Sequence, residues 1–194
     1  MGFPRWTAIW QTMDFPAGAF RPPRRRDQES GQGAGDSCRK DHSSPGGKAD
    51  FIAMARALLA DPELPNKLAI GRLDEIVPCI ACNECYNFQI GAVPRQCTVN
   101  AAVGREKDYE IKPAQKSKRV LIAGGGPAGM EAARVAALRG HEVTLYDKAD
   151  RLGGQLIIAA EAPSQRGLRM LTGYLVKQVR KLGIKVELGK EVTR

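Results

Sequence analysis

The sequence predicts an α/β fold in which a parallel sheet, with helices packed on it, occupies residues 118–194. Three observations lead to this prediction. The unbroken apolar strand VLIAG runs directly into a glycine-rich turn, the helical stretch MEAARVAALR follows that turn, and a second apolar strand, EVTLYD, follows the helix. Strands that alternate with helices in this order pair in parallel. We therefore expect a β–α–β unit in this part of the chain.

The glycine-rich turn predicts a Rossmann-like site for a nucleotide cofactor. Gly124, Gly126 and Gly129 have the spacing G-x-G-x-x-G between the strand and the helix, and Pro127 and Ala128 lie inside the same turn. The first glycine permits the tight turn, the second lets a pyrophosphate approach the backbone, and the third lets the helix pack on the strand. A tight turn that binds no ligand is the alternative.

The second strand ends in Asp147, and this residue bears on the choice of nucleotide. An acidic side chain about twenty residues beyond the glycine turn binds the ribose 2′-hydroxyl in such units. A carboxylate there disfavours a 2′-phosphate, so FAD, ADP or NAD fits better than NADP. We also expect Gly140 to end the helix between the two strands.

The rest of this region predicts one long amphipathic helix and a third parallel strand. The stretch SQRGLRMLTGYLVKQVRKLG has an apolar face, and its charged face is interpreted as solvated. The strand IKVELGKEV follows, and the sheet of a complete nucleotide domain would continue beyond it, so we expect a partial domain. The apolar face consists of Leu168, Leu171, Leu175, Val179 and Leu182, and the charged face of Lys177, Arg180 and Lys181.

Four of the five cysteines lie within nineteen residues, as Cys79-x2-Cys82-x2-Cys85-x11-Cys97. Without an export signal such crowding favours metal binding over disulfides, and it indicates a reducing, cytoplasmic compartment. Three thiolates at close spacing and one distant thiolate are typical of a [4Fe–4S] cluster. Tetrahedral zinc is the main alternative, although its structural sites usually have two Cys-x2-Cys pairs. Small buried thiols without metal are the third interpretation.

The segment before the cysteines, KADFIAMARALLADPELPNKLAIGRL, predicts a short buried strand and two turns of helix. The first helical turn should break at Pro62 and the second should end near Gly71. Arg56 lies where the strand meets the first helix. Helix N-terminal amides and a guanidinium both suit a phosphate dianion, so Arg56 is a candidate phosphate ligand. An exposed helix residue is the alternative for Arg56.

From about Gly47 onwards these motifs occur in the order of a known family. The runs ADFIAMARALLADPELPNKL and GRLDEIVPCIACNEC, followed by the glycine turn, resemble the multidomain branch of the old yellow enzyme group, which includes 2,4-dienoyl-CoA reductase and trimethylamine dehydrogenase. The resemblance implies that residues 48–78 are the remnant of the end of a TIM barrel that binds FMN. Residues 79–117 would be the iron–sulfur segment and its linker, and residues 118–194 a partial FAD or ADP domain.

The resemblance also implies roles for particular residues. Met54, Ala55 and Arg56 would hold the FMN phosphate, and the sequence RLGGQL would form a second contact with the adenine nucleotide through Arg151, Gly154 and Gln155. The cluster would pass single electrons between two flavins. A pyridine nucleotide and a small-molecule substrate would be partners of the intact relatives, and oligomerisation of this chain stays open. Because most of the barrel is missing from this sequence, we expect a piece truncated at both ends, incapable of complete turnover alone, and assign no catalytic residue.

The first 47 residues are rich in Pro, Gly, Ser and Arg and have no periodicity, so residues 1–47 are interpreted as a disordered or spurious leader. The net charge of +9 includes the run RPPRRR but forms no single patch, and we expect no nucleic-acid partner. No apolar run reaches the roughly 20 residues of a membrane span. Two other functions remain open. One is an electron-transfer module that partner chains complete, and the other is a basic zinc-knuckle protein that binds nucleic acid.

Overall fold

A computed structural model describes residues 54–86 and 95–193. The predicted leader and most of the strand before Arg56 lie outside these residues, as do the residues directly before Arg95. The described chain begins with two short helices, α1 (Arg56–Ala60) and α2 (Leu64–Ala69), and a 3-10 turn (Leu73–Glu75). Pro62 lies between the helices, as predicted. A small core holds this region together and consists of Ala57, Leu64 and Ile76, with Met54, Leu58 and Leu68 packed against them.

The second region is a three-stranded parallel sheet with helices, which confirms the predicted α/β class. Strand β2 lies between β1 and β3, with Arg119 opposite Glu142 and Thr144 opposite Lys185. The barrel remnant predicted for residues 48–78 stays a prediction, because the described part of that range forms short helices only. The elements in chain order are β1 (Arg119–Ala123), α3 (Pro127–Leu138), β2 (Glu142–Asp147), α4 (Gln155–Ala159), α5 (Arg166–Lys181) and β3 (Lys185–Leu188), with a 3-10 turn (Pro163–Gln165) before α5.

Helix α3 begins three residues earlier than its apolar pattern indicates. Its first residue is Pro127, whose fixed φ suits the first turn of a helix and whose missing N–H has no intrahelical partner in any case. The helix ends before Gly140, which has a φ of 87° and follows the cap residue Arg139. The expected stop at Gly140 is therefore present in the structure.

The main core forms where α3 and α5 pack on the sheet. Met130, Leu145 and Val179 are the largest fully buried side chains, and they come from α3, β2 and α5 respectively. Leu171 and Leu175 of the predicted apolar face of α5 join them. Burial of this face orients α5 so that Lys177 and Arg180, on its other side, are exposed.

The charged face of α5 differs from its prediction at Lys181. The sequence indicates a solvated lysine, but Lys181 Nζ lies 2.7 Å from Asp74 Oδ2 and 2.7 Å from Glu75 Oε1. These acids belong to the 3-10 turn before the cysteines, more than a hundred residues away in the chain. The same turn is reached by Gln178, a buried residue whose side-chain amide donates a 2.9 Å hydrogen bond to the Asp74 carbonyl. Helix α5 thus joins the two regions.

None of the helices in the described ranges combines the length and the apolar character that a membrane span requires.

Candidate functional site

The four clustered cysteines face one small cavity. Cys79, Cys82, Cys85 and Cys97 all line it, and all four are free thiols. Within residues 54–86 and 95–193, no group of three or more ligating side chains is arranged around one metal-ion position. The four thiols therefore line one cavity, but they are not placed around a single metal-ion position. The other lining residues are Arg56, Ile80, Asn83, Thr98 and Val99.

The backbone around Cys82 explains how three cysteines so close in sequence can face the same side. Ala81 and Asn83 have φ values of 56° and 59°, in the left-handed region. This conformation costs on the order of 1 kcal/mol for alanine and less for asparagine. It turns the chain on both sides of Cys82, and the Tyr86 amide then closes the turn with a 2.8 Å hydrogen bond to the Asn83 carbonyl. Strain of this kind is concentrated at functional sites.

Both ends of the cysteine segment are tied to the region around α1. On the N-terminal side, the buried carboxylate of Asp61 accepts hydrogen bonds from the Val77 amide at 2.9 Å and from Lys67 Nζ at 2.7 Å. On the C-terminal side, Asn100 Nδ2 donates a 2.8 Å hydrogen bond to the Leu59 carbonyl. Because both bonds involve residues at the end of α1, they bring Cys97 back towards Cys79.

The electrostatic environment of the cavity is set by burial and by one cation. Burial raises the pKa of the Cys79 and Cys85 thiols, and the positive charge of Arg56 opposes that rise at both positions. The Cys79 thiol also accepts a hydrogen bond from the Ala81 backbone. Cys82 Sγ lies 3.1 Å from Thr98 Oγ1. At Cys79 and Cys85 burial is the larger effect, so the pKa of each thiol stays above its ordinary value despite the nearby guanidinium.

The three consecutive residues predicted at an FMN phosphate have different surroundings in the structure. Arg56 begins α1 and lines the cysteine cavity, where its Nη1 donates a 2.5 Å hydrogen bond to Asn83 Oδ1. Met54 packs against the small core, and Ala55 is the N-cap of α1. Arg56 is therefore beside the cysteines as well as at the start of a helix, which the sequence did not indicate. An FMN site stays a prediction.

The glycine turn has the close backbone packing that its spacing predicts. The Gly124 amide donates a 2.7 Å hydrogen bond to the Tyr146 carbonyl and so joins the turn to β2. A Cβ atom placed on Gly129 would lie 1.8 Å from the Gly124 carbonyl oxygen, which no side chain tolerates. A Cβ atom on Gly126 would meet nothing within 4 Å. The third glycine thus serves packing, and the second leaves open space over the turn.

Asp147 lies beside the glycine turn and is hydrogen-bonded there. Its Oδ2 accepts a bond from the Gly125 amide, and its Oδ1 accepts one from the Ala149 amide at 2.7 Å. An ionised carboxylate has about four acceptor positions, so two bonds leave capacity for a ribose hydroxyl. The residue predicted to bind ribose therefore also holds the turn in place.

The segment RLGGQL lies against the same turn. The Gly153 amide donates a 2.8 Å hydrogen bond to the Gly125 carbonyl, and a Cβ atom on Gly154 would lie 3.0 Å from the Gly126 Cα. Arg151 and Gln155 are exposed at its two ends. The structure thus places the segment RLGGQL beside the glycine turn. Nucleotide binding stays a prediction for the residues assigned to it by the sequence and the resemblance, namely Gly124, Gly126, Pro127, Ala128, Gly129, Asp147, Arg151, Gly154 and Gln155.

The cysteine cavity is in direct contact with the α/β region that contains the glycine turn. Ile80 and Val99, which line the cavity, also pack against the core formed by α3, α5 and β2. At the start of α5, Gly167 lies against the backbone of Ile80. The sequence alone did not identify Gly167, Asp61, Asn100 or Lys181, because each acts through a partner far away in the chain.

Comparison with known proteins places these features in a family. The family model for pyridine nucleotide-disulphide oxidoreductases matches residues 85–194. The chain is 47% identical to a metal reductase of Desulforamulus reducens over 76% of this chain and 22% of that protein. It is 38% identical to a multifunctional alkene reductase/demethylase OYE of Caballeronia cordobensis, over 72% of this chain and 20% of that protein.

A solved structure gives the same result for the fold. The chain superposes on 2-naphthoyl-CoA reductase, in complex with 2-naphthoyl-CoA, with a TM-score of 0.73 and 43% identity, covering 76% of this chain and 23% of that one. The resemblance to the old yellow enzyme group is thereby confirmed. The chain spans about a fifth of the length of these relatives.

Proposed function

The chain belongs to the pyridine nucleotide-disulphide oxidoreductase family, and from that premise we propose that it is the electron-relay part of an iron–sulfur flavoprotein oxidoreductase. The observation that carries the proposal is the shared wall between two sites. Ile80 and Val99 line the cavity of the four cysteines and also pack on the core beneath the glycine turn. A redox centre and a nucleotide cofactor on either side of one wall suit electron transfer between them.

The cysteines would hold a [4Fe–4S] cluster. An all-thiol donor set with no disulfide fits such a cluster, in which each cysteine binds a different iron. Structural zinc sites usually have two Cys-x2-Cys pairs, whereas the fourth cysteine here, Cys97, follows the other three by twelve residues and has no paired cysteine. When bound, the cluster supplies one-electron transfer. The protein's own contribution is to hold the four sulfurs, to cover them with Ile80 and Val99, and to place the Arg56 charge beside them.

The glycine turn would hold the pyrophosphate of FAD or ADP. The open space over Gly126 would admit the phosphates, and the start of α3 would direct its free amides towards them. Asp147 would bind the ribose hydroxyl, while Arg151, Gly154 and Gln155 would form the second contact. The negative charge of Asp147 would disfavour a 2′-phosphate.

The proposal also includes the electron donors and acceptors on either side of the cluster. Electrons would pass between a pyridine nucleotide or FAD, the cluster and FMN, with Met54, Ala55 and Arg56 forming part of the FMN phosphate site. Small-molecule turnover would require regions of the longer relatives that this chain does not match, so we assign no catalytic residue. Free thiols in the cavity suit a reducing, cytoplasmic compartment. We expect neither nucleic acid nor a membrane as partner.

Anaerobic reconstitution of the full chain with iron and sulfide tests the cluster. We expect about four irons and four sulfides per chain, since a [4Fe–4S] cube contains that number. Changing Cys79, Cys82, Cys85 or Cys97 singly to serine should abolish a stable cluster. Cys38→Ser, at the fifth cysteine of the sequence, is the matched control and should retain it.

Two further measurements separate the alternatives. One zinc per chain without acid-labile sulfide, together with salt-dependent binding to DNA or RNA, would establish the zinc-knuckle function instead. Copurification of a separate flavin-binding subunit would favour a module that partner chains complete.

Calorimetric titration with ADP tests the proposed nucleotide site independently of the metal. Absence of ADP binding by well-folded protein would contradict the nucleotide half of the proposal.

A further inference from the structure

Helix α5 and the cysteine segment approach each other closely at a glycine. A Cβ atom on Gly167 would lie 2.8 Å from the Ile80 carbonyl oxygen, 2.9 Å from its Cα and 3.1 Å from its carbonyl carbon. These are backbone atoms of the residue directly after Cys79, so they cannot move aside as the end of a side chain could. The absence of a side chain at residue 167 is what lets the cysteine segment rest on the helix.

The same segment is bound to α5 at a second point, about three to four turns further along the helix. Lys181 Nζ lies 2.7 Å from both Asp74 Oδ2 and Glu75 Oε1, and the Gln178 amide donates to the Asp74 carbonyl at 2.9 Å. Residues 74–80 are therefore held at both ends by one face of one helix. Ile80 adds its side chain, which packs against the core that contains Leu171 and Leu175.

We propose that α5, in the α/β region that contains the glycine turn, positions the cysteine segment for its cluster. Gly167 and Lys181 are the positioning residues. Gly167 sets how closely Ile80, and with it Cys79, approaches the core. Lys181 fixes the chain before Cys79 through two carboxylates. The inference rests on the proposed function, because it concerns retention of the cluster, and it assigns that task to a helix that contributes no ligand.

Substitution of Gly167 by alanine is a sharp test because it should stabilise the helix locally but disturb the packing of the helix against the cysteine segment. Within a helix, alanine is favoured over glycine. The new methyl group would nevertheless overlap the Ile80 backbone, so the segment must shift by several tenths of an ångström. Gly173 is the matched control, since it lies in the same helix and a Cβ atom there would meet nothing within 4 Å. Gly173→Ala should gain helix propensity and leave the cysteine segment where it is.

The experiment uses the full chain, reconstituted anaerobically with iron and sulfide. Bound iron and sulfide, the electron paramagnetic resonance spectrum of the reduced protein and the rate of iron loss to a chelator are measured for Gly167→Ala and Gly173→Ala. Residues that orient metal ligands typically change metal retention by about tenfold or more. We expect iron loss from Gly167→Ala to be about tenfold faster, with ADP affinity unchanged. Gly173→Ala should behave as the unsubstituted chain does.

A second pair keeps the test decisive if Gly167→Ala does not fold. Lys181→Met removes both ion pairs but retains the aliphatic chain, and Lys177→Met changes an exposed lysine one turn earlier. The inference is supported if Lys181→Met loses iron faster than the original chain and Lys177→Met does not. Equal rates for both members of each folded pair would overturn it. A chain that binds ADP but never acquires iron and sulfide would contradict the proposed cluster itself, so the two failures are distinguishable.

Discussion

The carboxylate of Asp61 accepts a hydrogen bond from the Val77 amide at 2.9 Å, across sixteen residues of chain. This bond, the 2.7 Å ion pair with Lys67 and a 3.1 Å bond from the Glu63 amide occupy a side chain that is only 3% exposed. Asp61 thus connects the end of α1 with the entry to the cysteine segment.

Replacing Asp61 by alanine should therefore destabilise the region before Cys79. The change leaves the Val77 amide and the Lys67 ammonium without this acceptor, and we expect a loss of about 2 kcal/mol in the free energy of unfolding. Urea denaturation measures the effect. Asp108→Ala removes an exposed carboxylate and serves as the control, with an expected change of at most about 0.5 kcal/mol. Equal stability of the two variants would show that Asp61 does not have this structural role.

Two alanine substitutions in the glycine turn should have different consequences. Gly129→Ala places a methyl group 1.8 Å from the Gly124 carbonyl oxygen, and we expect about 2 kcal/mol or more of destabilisation. Gly126→Ala meets no atom within 4 Å and has a φ of −73°, which any residue adopts, so the fold should be unaffected. Its methyl group would fill the space proposed for the pyrophosphate. Thermal melting and calorimetry with ADP should show an intact fold that binds about tenfold more weakly, or 1.4 kcal/mol.

Arg56 should raise the reduction potential of the proposed cluster. Reduction adds negative charge to the cluster, and a guanidinium lining the cavity stabilises that charge. For Arg56→Gln we expect a potential lower by on the order of 60 mV, which is a tenfold change in the ratio of reduced to oxidised cluster for a one-electron couple. Arg56→Lys should retain most of the original value. A potentiometric titration that finds all three proteins equal would rule out this electrostatic role.

The ion pairs of Glu75 predict a pH dependence of the contact between α5 and the 3-10 turn. Hydrogen bonds from Arg72 and Lys181 lower the pKa of Glu75 from 4.5 to about 2. A carboxyl with a lowered pKa in the folded state contributes stability that is complete above pH 4.5 and is lost as the pH falls towards 2. The contribution is small, because the carboxylate is close to solvent.

A comparison with Glu75→Gln measures that contribution. The difference in melting temperature between the original chain and the variant should be constant above about pH 5 and should shrink progressively below it. Cluster-free protein is used, because acid removes iron and sulfide and would obscure the transition. A difference that does not change between neutral and acidic pH would mean that Glu75 does not pair in solution as it does in the structure.

Much of the fold and of the candidate site was predictable, because its signals are local in sequence. The apolar strand before Gly124, the helix after it and the strand ending in Asp147 follow one another within thirty residues, and each is recognisable from periodicity and glycine placement. The spacing of Cys79, Cys82 and Cys85 is likewise a local pattern. These parts of the molecule are where the sequence indicates them, apart from the earlier start of α3.

The sequence by itself determined the α/β class, the glycine turn and the set of four thiols. The tertiary structure alone decided that Arg56 lies beside those thiols, that Asp147 holds the turn, and that Gly167 supports Ile80. The physical reason is distance along the chain. Gln178 and Asp74 are 104 residues apart, and a contact of that kind leaves no periodicity or spacing in either segment. Such a contact exists only after burial of the α5 apolar face has brought the two regions together.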